Sequence, residues 1–141
     1  MKYMYLSDVW SSSDGASWDL VRTLAWNDRY YHCTVVFNYL IWMMGGKGDG
    51  DNGFTVAFND VWYSSGNSGW DIATSAAPWS ARHGCTSVVF TNDLMWVMAG
   101  SSNSGYVNDV WSSSDGVSWT LVTSAAAWSV RSADTTVVFD Y

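Results

Sequence analysis

The chain has 141 residues and a formal net charge of −7, so it can form one ordinary domain and offers no basic surface to a nucleic-acid backbone or an anionic membrane. Hydrophobic residues make up 48% and charged residues only 13%, against a usual charged fraction of about a quarter; this excludes disorder and leaves surface polarity to Ser, Asn, Thr and Gly. Apolar runs such as Leu40 to Met44 are far too short to span a bilayer, and Met1 to Trp10 has no apolar signal-peptide core, so the sequence indicates neither a membrane partner nor a compartment.

The first element in chain order, SDVWSSSDGASW at Ser7 to Trp18, recurs as NDVWYSSGNSGW at Asn59 to Trp70 and as NDVWSSSDGVSW at Asn108 to Trp119. Aligned on Asp8, Asp60 and Asp109, the copies are spaced by 52 and 49 residues, which is the signature of a repeat architecture. All 11 tryptophans fall into the repeat. Trp10, Trp62 and Trp111 form one column and Trp18, Trp70 and Trp119 a second; Trp26, Trp79 and Trp128 form a third, and Trp42 and Trp96 a fourth. A set selected for one ligand would not share the period of the chain, so these rings are predicted to be structural.

Within each repeat, Asp14-Gly15 and Asp115-Gly116 lie between runs containing Trp and Val or Leu, which predicts a hairpin of two partly exposed strands. A short loop then ends in an arginine, at Arg29, Arg82 and Arg131. Six residues beyond each arginine begins Val-Val-Phe, followed in the first two cases by LIWMMGG or LMWVMAG; such uninterrupted apolar runs predict strands covered on both faces. Each repeat therefore reads as four antiparallel strands, a buried inner pair and a more exposed outer pair. The boundaries fall at 1–28 for an outer hairpin, 29–78 and 79–128 for two full units, and 129–141 for the inner strand of the next.

These residues resemble a kelch repeat of the galactose-oxidase-like type. The resemblance is carried by the doublet Gly45-Gly46 after an apolar strand, the DVW aromatic, the tryptophan eight residues on, and Arg29 followed at the third position by His32. The second copy departs from it with Ala99-Gly100, and Cys85 and Asp134 stand where the first copy has His32. The Ser-x-Asp-Gly-x-x-Trp phrase is also similar to the sialidase Asp-box, with one residue fewer between Asp and Gly, and is read as a hairpin device. The resemblance implies an all-β fold of β-propeller blades, about three per chain, and a non-catalytic platform for protein or glycan ligands. It also implies that Arg29, Arg82 and Arg131 can lie at a channel mouth that receives acidic ligands, the alternative being that they pair within the fold.

Enzymatic chemistry has thin support, and neither a catalytic residue nor a cofactor is expected. An oxidase- or glycosidase-type propeller is the alternative reading. His32 and His83 sit at different offsets from their arginines and are not expected to share a metal. Asp49, Asp51 and Asn52, in the Gly-rich stretch Gly45 to Gly53, are a weak calcium candidate without the distal Glu of an EF-hand. Cys33 and Cys85 lie four and three residues after their arginines, so they are expected to point to opposite faces and to remain unbridged thiols. Propellers close with about four to eight blades, and just under three cannot close alone. The expected partner is a second copy, joined head to tail into a ring of about six blades, or else neighbouring repeats of a longer array.

Overall fold

The computed structural model describes residues 6–22, 26–50, 53–66, 69–90 and 93–138. Every regular element among them is a strand. A hairpin of β1 (Val9–Ser11) and β2 (Asp19–Arg22) comes first. After β3 (Arg29–Tyr30), the strands β4 (Cys33–Phe37) and β5 (Leu40–Met44) pair. The chain then makes β6 (Lys47–Asp49) and β7 (Thr55–Ala57), followed by β8 (Val61–Ser64) and β9 (Asp71–Thr74). The order repeats as β10 (Arg82–His83), β11 (Thr86–Phe90) and β12 (Leu94–Met98). It ends with β13 (Ser101–Ser102), β14 (Gly105–Tyr106), β15 (Val110–Ser113) and β16 (Thr120–Thr123).

Two antiparallel four-stranded sheets, β4-β5-β8-β9 and β11-β12-β15-β16, carry the fold. Their strands are the four read from each repeat. Two further three-stranded sheets, β3-β6-β7 and β10-β13-β14, were not expected. The stretches linking the second and third strands of each repeat fold back as hairpins on the short strands that contain Arg29 and Arg82. Lys-Gly-Asp and Ser-Ser carry no strand pattern of their own; their backbone groups are satisfied because the arginine strand offers a partner edge.

The core lies between the two large sheets. Phe37, Trp42, Met44 and Val61 of the first meet Met95, Val97 and Trp119 of the second, with Trp79 from the connection between them. The inner pair is not covered on both faces throughout. Met43 and Met44 are both buried, but Val36 is 67% exposed and β12 alternates, with Met95 and Val97 buried and Trp96 and Met98 only half-buried. One face of the second sheet looks at the first, and among the described residues the other is covered only in part, by Trp128 and residues 136–138.

Cys33 and Cys85 form a disulfide with a Cα–Cα distance of 5.7 Å, contrary to the expectation of two free thiols. Thr86 takes the place in β11 that Cys33 has in β4, opposite Met98 and Met44 respectively, so Cys85 does lie one residue out of phase. The parity is as expected, but the conclusion drawn from it reverses. Successive sheets stack face to face, so the forward face of one meets the backward face of the next, and side chains of opposite parity on equivalent strands converge. Ser87 reinforces the contact by donating its hydroxyl to the Thr34 carbonyl at 2.9 Å.

The bridge closes a loop across a sequence separation of 52 residues and constrains the unfolded chain accordingly. Replacing Cys33 by Ser is expected to lower the unfolding free energy by about 2–4 kcal/mol in urea titrations. Reductant should produce the same loss in the unmodified chain and none in the variant. Thiol labelling of the oxidised native protein should find no free cysteine.

Candidate functional site

The Asp-Val-Trp triplet and the arginine column belong to one device. In each triplet the indole N–H donates to the aspartate two residues earlier: Trp10 to Asp8 at 2.6 Å, Trp62 to Asp60 at 2.7 Å and Trp111 to Asp109 at 2.8 Å. The strand pairing shifts register between Val and Trp in all three, a local bulge that re-aims the side chains. The same carboxylate receives an arginine fork. Arg29 grips Asp60 at 2.7 and 2.8 Å, and Arg82 grips Asp109 at 2.6 and 2.7 Å. Each Nη1 also donates to a carbonyl at the end of the second strand, Gly45 for Arg29 and Ala99 for Arg82.

The arginine side chains are 1% and 0% exposed, so neither Arg29 nor Arg82 is available to a ligand. Of the two roles open to them, pairing within the fold is the one they take. Arg29 also stacks on the Phe58 ring at 4.3 Å. Burial raises Asp109, but the hydrogen bonds from Arg82 and Trp111 and the charge of Arg82 outweigh it and hold the carboxyl below its ordinary range.

While the Arg82 side chain grips Asp109 at the start of β15, its backbone holds the preceding repeat. Its N–H donates to the Phe58 carbonyl, and its carbonyl accepts from Gly46. Gly45 and Gly46 adopt φ values of 62° and 100°, and a Cβ on Gly45 would sit 2.8 Å from the Arg82 carbonyl oxygen. The doublet is thus required by close approach as well as by backbone conformation. Ala99-Gly100 repeats the conformation in the second copy, with Gly100 donating to the Arg131 carbonyl.

Arg131 completes only half of this pattern. Its Nε donates to the Ser129 carbonyl, just as Arg82 Nε donates to Ser80 and Arg29 Nε to Asn27, so the side chain is held in the same pose. Its far edge meets no DVW carboxylate. It is 45% exposed, and Asp134, at 3.8 Å, is its one ion-pair partner among the described residues. Asp8 is the mirror case: it accepts from Trp10 and has no arginine among the described residues.

The tryptophan columns divide the same way. Trp26 meets Trp70 edge-on at 4.8 Å and Trp79 meets Trp119 at 4.5 Å, whereas Trp18 and Trp128 are 57% and 39% exposed. Trp62, Trp70 and Trp111 are half-buried and Trp119 is buried; Trp10 is exposed, like Trp18, because no inner strand lies against β1 and β2 among the described residues. On the partly covered face of the second sheet, Phe90, Trp96, Met98, Trp128 and Val137 line an apolar cleft of about 360 Å³.

The Ser-x-Asp-Gly-x-x-Trp phrase is a self-contained loop cap. Ser12 accepts from the Gly15 N–H, Asp14 accepts from the N–H groups of Ala16 and Ser17, and the Trp18 indole donates to the Gly15 carbonyl. Ser113, Asp115, Gly116 and Trp119 repeat it. Asp-Gly therefore does not form a two-residue turn by itself; the hairpin loop is longer and folds around the aspartate. The backbone bond from Ser17, then that from Ala16, lowers Asp14 from 3.8 to about 2.

Asp49 lies in β6, paired with Thr55, while Asp51 and Asn52 fall outside the described residues. Burial, then Arg29, lowers His32, and burial, then Lys47, lowers His83. Among the described residues no three His, Cys, Asp or Glu side chains converge to hold a metal ion.

No protein-family model matches the chain, and no curated protein matches it in sequence. Its fold is similar to the solved structure of YjhT, with a TM-score of 0.69 over 82% of this chain. Identity is 17%, so the likeness is one of fold, and the match spans 44% of the YjhT chain. The class established is an all-β protein of repeated antiparallel sheets.

Two measurements check this geometry. Arg82→Ala leaves Asp109 partly buried without its partner and is expected to cost about 3–5 kcal/mol in denaturant unfolding. Arg131→Ala, at its exposed position, should change the stability of the dilute chain by no more than about 0.5 kcal/mol. In an NMR pH titration the Asp14 carboxyl should show a midpoint at about 2, with the Ala16 and Ser17 amides moving in step. Because the folded value is depressed, the loop bonds are fully present above the ordinary value of 3.8 and are lost as pH falls through about 2.

Proposed function

We propose that the chain is a non-catalytic, kelch-like β-propeller module whose work is assembly: it builds a scaffold by joining further repeats of its own kind. One observation carries this reading. The contact set that links one copy of the DVW phrase to the next, an arginine fork from the loop after one copy onto the aspartate of the following copy and an edge-on indole pair, is complete twice inside the chain and half-made at each end. Exposed apolar side chains beside those half-made contacts, at Trp18 and Trp128 and in the cleft of the second sheet, favour burial in a further sheet over exposure to water.

The likeness to YjhT supports stacked antiparallel sheets as the architecture, and the repeat phrase with its glycine doublet supports the kelch-like form of it. Loops at the rim remain the surface for protein or glycan ligands, since two of the three arginines are consumed by the fold. Under this reading no catalytic residue, metal or cofactor is assigned.

Light scattering on the purified, oxidised chain tests the proposal. A discrete species of twice the 15.6 kDa chain mass is expected. A soluble, monodisperse monomer at tens of micromolar would overturn self-assembly, and turnover with bound copper in an oxidase assay would overturn the non-catalytic reading.

A further inference from the structure

Resting on that assembly reading, we infer that the partner is a second copy of this chain, docked head to tail so that Arg131 of one copy grips Asp8 of the other and Trp128 meets Trp18. Three contacts are templates for the interface, each visible inside the chain. Arg29 with Asp60 and Arg82 with Asp109 show the ion pair. Trp26 with Trp70 and Trp79 with Trp119 show the indole pair. The ring of Trp42 covers Gly116 of the next hairpin so closely that a Cβ there would run into it.

Each template has one unused half at either end. Arg131 is already fixed by its bond to the Ser129 carbonyl, with its outer edge free of any DVW carboxylate. Asp8 is fixed by the Trp10 indole and offers its remaining acceptor capacity. Trp128 and Trp18 are the two exposed members of their columns. Trp96, the counterpart of Trp42, lines the open cleft, and Gly15, the counterpart of Gly116, has nothing within 4 Å of where a Cβ would be.

Charge, aromatic geometry and shape therefore agree on one occupant for both ends, and the relation between them is the relation between consecutive repeats. The described residues of neither copy supply a counterpart of β5 or β12 at the junction. The ion pair, the indole pair and the covered hairpin carry the contact there, rather than a complete four-stranded ladder. Repeating the step twice returns to the start in a two-fold dimer with two identical junctions.

Reciprocal charge reversal tests the assignment on the full chain by sedimentation or light scattering. Asp8→Arg sets two guanidinium groups against each other at both junctions, and Arg131→Asp sets two carboxylates against each other there. Each variant alone should lose about a hundredfold or more in dimer affinity and run as a folded monomer. Mixed in equal amounts, the two should associate one to one, because one junction of each mixed dimer keeps the original Arg131–Asp8 pair and the other sets the two substituted residues, again of opposite charge, against each other. If the unmodified chain is dimeric but neither reversal weakens it, this interface is wrong while the assembly reading stands. An unmodified chain that stays monomeric sinks both. The double variant, carrying both reversals in one chain, restores opposite charges at both junctions and should dimerise like the unmodified chain; a double variant that stays monomeric would overturn the Arg131–Asp8 pairing.

Discussion

The fork between Arg82 and Asp109 is the interaction on which the arrangement of this protein turns. An arginine withdrawn fully from water is tolerated only when its charge and its donors are all met, and here two carboxylate oxygens, the carbonyls of Ala99 and Ser80 and the Ser80 hydroxyl meet them. The geometry matters more than the energy. The guanidinium fastens the short strand β10 to the start of β15 in the neighbouring four-stranded sheet, while the backbone of the same residue is bonded to Phe58 and Gly46 of the previous repeat. One residue thus ties its own short sheet both to the four-stranded sheet of its repeat and to the repeat before.

Other features of the repeat follow from accommodating that residue. The glycine doublet lets the end of the second strand approach the arginine backbone, and the bulge at Val-Trp turns the aspartate toward the fork. The DVW tryptophan supplies the same carboxylate with a further donor beside the guanidinium. The short β6–β7 and β13–β14 hairpins cover the arginine strands, which would otherwise present unpaired backbone at an edge.

Much of this was legible in the sequence, and the failures have definite causes. Asp8, Asp60 and Asp109 announced the repeat, the Arg29 column was visible beside it, and the four-stranded units match the strands assigned to them because hydrophobic runs and hairpin phrases are local signals. What was missed depends on relations between units. Cys33 and Cys85 were given the right faces, but the direction in which sheets stack decides whether opposite faces separate or meet, and no residue pattern states it. Lys47–Asp49 looked like an acidic loop because its strand character comes from the Arg29–Tyr30 edge. Trp10 and Trp18 match half-buried Trp111 and buried Trp119 in sequence yet are exposed, since burial belongs to the neighbour and not to the motif.

The Cys33–Cys85 bridge has a mechanical consequence. A chain pulled from its two ends would shed the β1–β2 hairpin and the strands beyond Cys85, but the segment enclosed by the bridge would remain a closed loop and could not be drawn out. With a separation of 52 residues, the withheld contour is about 170–190 Å at the reach of an extended chain. Under tension, then, the sheet in the middle of the molecule is a covalently short-circuited element, and any extension it shows in an oxidising environment must come from the segments on either side of it.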